Sequence, residues 1–414
     1  MVNRKFNKAI FWNYISLVIM AASGLSMNAV IALFYGSAVL GAFGETYAWY
    51  MILSQLSVWG IHMSIVKHVP ETNNPEEKGA LLKSGIAITI VTSLLVTIAS
   101  EFVVCFLSDV AWKRSMQVAF LGLVFFSVNK VFLNYLNAIY KMVAYSIFTS
   151  IRYAILAIGM IVLSLGGTES DYIALIFPLT EIIVFLGMLG YFFFRIPVQG
   201  KLSSILSKKM LCFGTKILPS YMVLEMNTKV DMVCLGMLVS DVSQIGIYSF
   251  AIFFTEGFYM LFVIIRKIVN PGIAEANIEG KISERIAEMK RYLRRYVILG
   301  GGAAYLGVII GYVILCSFMQ RPAYRAGVMY IIVICFSIAV NGKYIVFGDL
   351  LAQIGYPLEE SVLNIVTVTG NFILNIILIM VFGMLGAAIA TAVSYFVFSF
   401  YMKVRVKERV GITL

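Results

Sequence analysis

Four basic residues, Lys130, Arg152, Lys229 and Lys343, stand inside long apolar stretches of the chain. A charge at the centre of a bilayer costs about 2.5–3.5 kcal/mol on insertion scales, so each of these must face protein or water. Acidic residues in comparable places are Glu101, Glu181, Glu225, Asp231, Glu256 and Asp349. Helical spacing groups several of these positions. Lys130, Asn134 and Asn137 recur at i, i+4 and i+7 beside Ser127, and Tyr145, Thr149 and Arg152 make a similar stripe. Asn364, Thr367, Asn371 and Asn375 line one face of a later stretch. Lipid offers polar groups no partner, so such stripes belong against a cavity or another helix. Lys and Arg are the side chains for phosphate, and amides and hydroxyls suit sugar hydroxyls. Interhelical hydrogen bonding is the competing use, and the spacing leaves both open. Glu225 and Lys229, at i and i+4, can pair on one face, either to make burial tolerable or as a cation- or proton-sensitive switch. Lys343 is a singleton.

Other chemistry is poorly represented. The five cysteines, Cys105, Cys212, Cys234, Cys316 and Cys335, show no metal-binding spacing, and the two histidines are His62 and His68. We therefore expect no metal site, no catalytic residues and no cofactor. No GxxxxGK[ST] run is present to bind nucleotide phosphates.

The elements that position these residues follow from composition. Of 414 residues, 61% are hydrophobic and 13% charged, against about 25% charged in soluble domains. That excludes a soluble enzyme, a disordered chain and a disulfide scaffold. Spans of about 20 apolar residues fit at roughly 9–34, 45–67, 83–106, 116–139, 143–165, 172–194, 213–239, 246–268, 295–319, 327–350, 359–381 and 386–402. The expected fold is an all-α polytopic membrane protein. It has an N-terminal six-helix bundle at 1–200, a cytoplasmic linker at 201–212 and a C-terminal six-helix bundle at 213–414. Asn270–Arg294 reads as an amphipathic surface helix, with Ile282, Ile286 and Met289 at helical spacing among Glu284, Arg285, Glu288 and Lys290.

Charge sets the orientation. With the amino terminus inside, 24 of the 32 Lys and Arg fall on inner segments, four on outer ones and four within spans. This is a positive-inside pattern, which predicts an even number of spans with both termini cytoplasmic. It also accounts for the net charge of +11 by attraction to anionic membrane lipid, with no nucleic acid required. Lys67, Arg266 and Lys267 lie at inner span ends, where they either snorkel or ring an inner portal that attracts a lipid pyrophosphate.

The halves echo each other. Leu40-Gly41-Ala42-Phe43 aligns with Ile245-Gly246-Ile247-Tyr248, and each is followed by a span ending near a proline, Pro70 or Pro271. Parallel repeats of six spans are related by a pseudo-two-fold axis along the membrane normal. The segment Phe34–Glu71, with Leu40-Gly41-Ala42-Phe43, then Lys67 and Glu71, resembles the polysaccharide (O-antigen, Wzx-type) flippases of the multidrug/oligosaccharidyl-lipid/polysaccharide exporter superfamily. The resemblance covers the whole chain in topology and about 40 residues in motif. It implies a bacterial inner-membrane protein whose alternating access moves a polyprenyl-pyrophosphate-linked glycan from the cytoplasmic to the outer leaflet for surface polysaccharide or lipopolysaccharide synthesis. Proton or sodium coupling, and association with a polysaccharide polymerase and chain-length regulator, would accompany it. The cargo sites expected are Lys130, Arg152, Asn134, Asn137, Glu225, Lys229, Lys343 and Asn371. A cation-coupled multidrug exporter on the same fold is the alternative, but the first span has Asn13, Ser16, Ser23 and Asn28 and neither an acid nor a proline. A membrane glycosyltransferase is disfavoured, because the outer loops are too short for an aqueous catalytic site, so the expectation is a transporter and not an enzyme.

Overall fold

A computed structural model describes residues 2–106 and 112–411, with side chains at 2–11, 13, 14, 224, 227, 267, 268, 270–272, 274, 275, 278, 292–296 and 357 outside the description. The described residues are helical almost throughout and contain no strand. In chain order the helices are α1 (Val2–Phe34), α2 (Ser37–Val58), α3 (Ile61–Glu71), α4 (Pro75–Phe106), α5 (Lys113–Phe120), α6 (Leu123–Ala138), α7 (Met142–Leu165) and α8 (Ile176–Arg195). There follow α9 (Ser204–Leu238), α10 (Val242–Ile278), α11 (Ile282–Arg295), α12 (Gly301–Phe318), α13 (Gly327–Val346), α14 (Leu350–Gln353), α15 (Pro357–Phe382) and α16 (Met384–Val410).

Among the described residues nine helical segments are long and apolar enough to cross a membrane, and the pair α5–α6, bent by 42°, makes a tenth. The other two of the twelve spans are more polar. One is α2 with α3, interrupted where Trp59 and Gly60 are both left-handed, at φ 49° and 69°. The other is α9, which carries Glu225, Lys229 and Asp231 within about two turns.

The surface is inverted relative to a water-soluble protein. On α4, Val91, Leu95, Ile98, Phe102 and Phe106 are exposed, whereas Ser84, Thr89, Ser93, Thr97 and Ser100 are buried. On α2, Glu45, Thr46, Ser54, Gln55 and Ser57 are all buried. Polar residues inside and aliphatic ones outside is the arrangement for a hydrocarbon solvent, where internal hydrogen bonds replace those with water. The chain is a multi-pass membrane protein.

Two compact units divide the chain, Met1–Glu225 and Met226–Leu414. The connector expected at 201–212 is helical from Ser204 onward, and the division falls further along, inside α9. In the first unit α6 is the central helix, packed on α2, α3, α4, α7 and α8. Its Val128, Val131, Phe132 and Leu136 meet Ile61, Ile65, Val184 and Met188 in the core. In the second unit α13 has the corresponding place, packed on α10, α12 and α16. These are the fourth spans of the two halves, so the repeat read from two short motifs extends to the packing order. The motif residues are core in both: Leu40, Phe43, Ile245 and Tyr248 are buried.

The amphipathic helix is shorter than expected. Residues up to Ile278 continue α10, Gly280 breaks the chain at φ 70°, and α11 begins at Ile282. Ile286 is fully buried, and Ser283 Oγ donates to the carbonyl of Val410 at 3.2 Å, tying α11 to the end of α16.

Candidate functional site

The first unit gathers both its in-span cations around one aromatic ring. Phe126, on α6, has the Arg152 guanidinium 4.2 Å and the Lys130 ammonium 5.9 Å from its ring centroid. Each cation has a different set of partners.

Arg152, on α7, is closed in. Its Nε donates to Glu181 Oε1 of α8 at 2.6 Å, and Nη2 forms an ion pair with the same oxygen. Asn129 Nδ2 donates at 2.9 Å to Glu181 Oε2 and to the Glu181 carbonyl. Side-chain exposure is 12% for Arg152 and 4% for Glu181. A buried pair of this kind is costly to break, because the survivor becomes an uncompensated charge. The unit therefore uses it to lock α6, α7 and α8 together.

Lys130 is held more loosely. Its Nζ donates to Gln55 Oε1 of α2 at 2.8 Å, and Gln55 Nε2 donates to Glu225 Oε2 of α9 at 2.8 Å. The amide relays one charge to the other across three helices. An ammonium has three donors, and this relay engages one, so Lys130 can hold Gln55 and still accept an oxyanion. On α2 and α6 there are also buried polar atoms with no hydrogen-bond partner among the described residues: Tyr50 OH, Ser127 Oγ and Asn129 Oδ1. Tyr50 packs edge-on against Phe126 at 5.6 Å and stacks on Phe177 at 5.0 Å, which fixes the ring wall of the site.

The structure thus brings together Lys130, Arg152 and Glu225. Asn134 donates to the carbonyl of Lys130 at 2.8 Å, within its own helix, and Asn137 is half-buried one turn further on. The other expected site residues lie in the second unit. Lys229 reaches Glu256 Oε1 at 3.4 Å. Asn371 accepts from Asn375 Nδ2 at both its carbonyl and its Oδ1, at 2.9 Å each, a self-contained pair on α15. Lys343 is exposed at the end of α13, 4.7 Å from the centroid of the Tyr344 ring. Of the portal residues, Lys67 sits 4.5 Å from the Phe213 ring centroid. Arg266 pairs with Asp349 at 3.2 Å, and the side chain of Lys267 lies outside the described residues. Asp231, given no site role from sequence, accepts from Tyr248 OH at 3.0 Å.

Sequence reasoning missed Gln55, Asn129 and Phe126. Gln55 had a signal, a lone amide in the run Met51-Ile52-Leu53-Ser54-Gln55-Leu56. Asn129 had a weaker one beside Lys130, and Phe126 had none among the 30 phenylalanines. Among the described residues no group of His, Cys, Asp and Glu is arranged to hold a metal ion.

A family model described as polysaccharide biosynthesis protein matches residues 7–278. Among solved structures the chain is similar to the lipid II flippase MurJ in an inward closed conformation, with a TM-score of 0.79, 18% identity and coverage of 95% of this chain and 87% of that one. It is similar to an inward-facing multidrug resistance MATE family transporter of the MOP superfamily, with a TM-score of 0.75, 11% identity and coverage of 97% and 98%. The MATE multidrug transporter DinF-BH gives a TM-score of 0.65, 16% identity and coverage of 98% and 95%. At these identities the likeness shows the fold. Comparison with curated proteins gave no match.

Proposed function

The chain belongs to the polysaccharide biosynthesis protein family, and on that premise we propose that it is a flippase for lipid-linked glycans. The cargo is a polyprenyl-pyrophosphate-linked oligosaccharide, carried from the cytoplasmic to the outer leaflet of a bacterial inner membrane by alternating access. The observation that carries this reading is Lys130, an ammonium in a transmembrane helix whose one protein hydrogen bond among the described residues is to a neutral amide, Gln55 Oε1. That is chemistry for an anionic group, and a poor match for a cationic drug. Tyr50, Ser127 and Asn129, on the same two helices as Gln55 and Lys130, carry buried polar atoms without a hydrogen-bond partner among the described residues, chemistry that suits sugar or phosphate oxygens. Glu225, at the far end of the Gln55 relay, is the carboxylate through which a proton or sodium ion would couple. The product, a glycan lipid facing outward, is what a polymerase with its chain-length regulator consumes.

The test is transport by the purified full chain in vesicles, reading the inner-to-outer movement of an undecaprenyl-pyrophosphate-linked glycan. Movement that requires Lys130 supports the proposal. No movement of that lipid, with export of an organic cation such as rhodamine instead, would overturn it in favour of a cation-coupled exporter.

A further inference from the structure

The second unit contains a cavity of about 390 Å³ where α11 meets α13 and the π-helical turn Tyr296–Gly300. Lys290 of α11 and Lys343 of α13 line it together with Val297, Ile298, Val340 and Phe347. Two lysine side chains thus reach one cavity, and an anion held there would be attracted by both. The neighbouring carboxylates of α11, Glu284 and Glu288, are exposed, and Glu288 is paired with Arg285 at 3.0 Å. The apolar side of the cavity does not close: Ile298 is 59% and Val340 50% exposed, so its wall continues onto the hydrocarbon-facing surface. A volume of this size suits a compact ligand, and cations at one end with an open aliphatic wall at the other describe an amphiphile with an anionic head.

We propose that this cavity binds an anionic phospholipid of the cytoplasmic leaflet, its phosphate between Lys290 and Lys343 and an acyl chain along Val297, Ile298 and Val340. The positive-inside count puts Lys290 on that side, where anionic lipid is attracted to basic residues, and Lys343 lies towards the same end of its span. The bound lipid fastens α11 to α13. The site is separate from the Lys130 network and does not depend on what the chain transports.

Native mass spectrometry of the purified full chain, titrated with phosphatidylglycerol, tests this. Net-neutral phosphatidylethanolamine serves as the control and undecaprenyl pyrophosphate as the rival phosphate lipid. Together Lys290→Gln and Lys343→Gln are expected to weaken phosphatidylglycerol binding roughly thirty-fold and to leave phosphatidylethanolamine binding unchanged. Val340→Trp, which fills the cavity with both lysines in place, is expected to do the same, so a folding defect in the lysine variant would not decide the matter. Unchanged phosphatidylglycerol binding in the two variants overturns the proposal. So does a site that prefers undecaprenyl pyrophosphate and loses it in both, since that would make it a cargo site. Because the readout is lipid affinity and not glycan transport, the proposal and the flippase reading can fail separately.

Discussion

At the scale of single residues, the two cations around Phe126 should behave differently when removed. Lys130→Met takes away an ammonium whose hydrogen-bonded partner is a neutral amide. Glycan transport is expected to be lost while the amount of folded protein in the membrane stays near wild type, measured by vesicle transport alongside size-exclusion profiles. Arg152→Ala instead strands Glu181, which is 4% exposed. A loss of about 3–5 kcal/mol is expected, seen as a lower melting temperature and poor accumulation. Replacing both partners, Arg152→Met with Glu181→Leu, should recover much of that stability. If Arg152→Ala were as stable as wild type, the locking role would be refuted. Sequence periodicity found both cations but could not rank them. Their difference lies in Glu181 and Asn129, on which partner helices converge only in the folded unit. Nothing in the spacing of Lys130, Asn134 and Asn137 discloses that Asn134 turns back to its own helix.

Among the elements, the break in the second span is tightly constrained. Trp59 and Gly60 reverse the chain locally, and Trp59 Nε1 donates to Thr215 Oγ1 of α9 at 2.9 Å. A Cβ on Gly60 would lie 2.4 Å from the Gly214 carbonyl oxygen, and one on Gly214 would lie 2.5 Å from the Trp59 carbonyl oxygen. The two backbones touch because neither residue has a side chain. Gly214→Ala is therefore expected to cost about 1–3 kcal/mol, read as a fall in melting temperature. Gly307→Ala on α12, with nothing within 4 Å, should change it little. Equal melting temperatures for the two would dismiss the contact. The sequence shows these glycines only as small residues inside spans. The α5–α6 bend and the continuation of α10 to Ile278 were likewise hidden, because hydropathy measures how apolar a segment is and not where its axis turns. Span number and the apolar face of α11 were legible, since burial in lipid selects directly for long apolar runs and for helical periodicity.

For the whole molecule, the charge asymmetry predicts a side for every loop. Single cysteines can test it once the exposed Cys105 and Cys212 are replaced by serine. Asn73→Cys, between α3 and α4, should react with a membrane-impermeant maleimide only after the inner face is opened. Glu169→Cys, between α7 and α8, should react in intact cells. The reverse pattern would invert the orientation and with it the direction of transport. The repeat belongs to this scale too. Two four-residue motifs pointed to it, and the shared packing order around α6 and α13 extends it across both units.

The polarity of α2–α3 and α9 has a consequence for how the chain is made. A nascent segment enters the bilayer alone only when its own apolarity outweighs its polar groups. α2 carries Glu45, Gln55 and several hydroxyls, and the helices that cover them, α4 and α6, are synthesised later. α9 carries Glu225, whose partner Gln55 has by then been made. The second span is therefore expected to be held at the insertion machinery or against α1 until its neighbours arrive, whereas the seventh finds Gln55 already made for Glu225 but awaits α10 for Glu256 and Tyr248, the partners of Lys229 and Asp231.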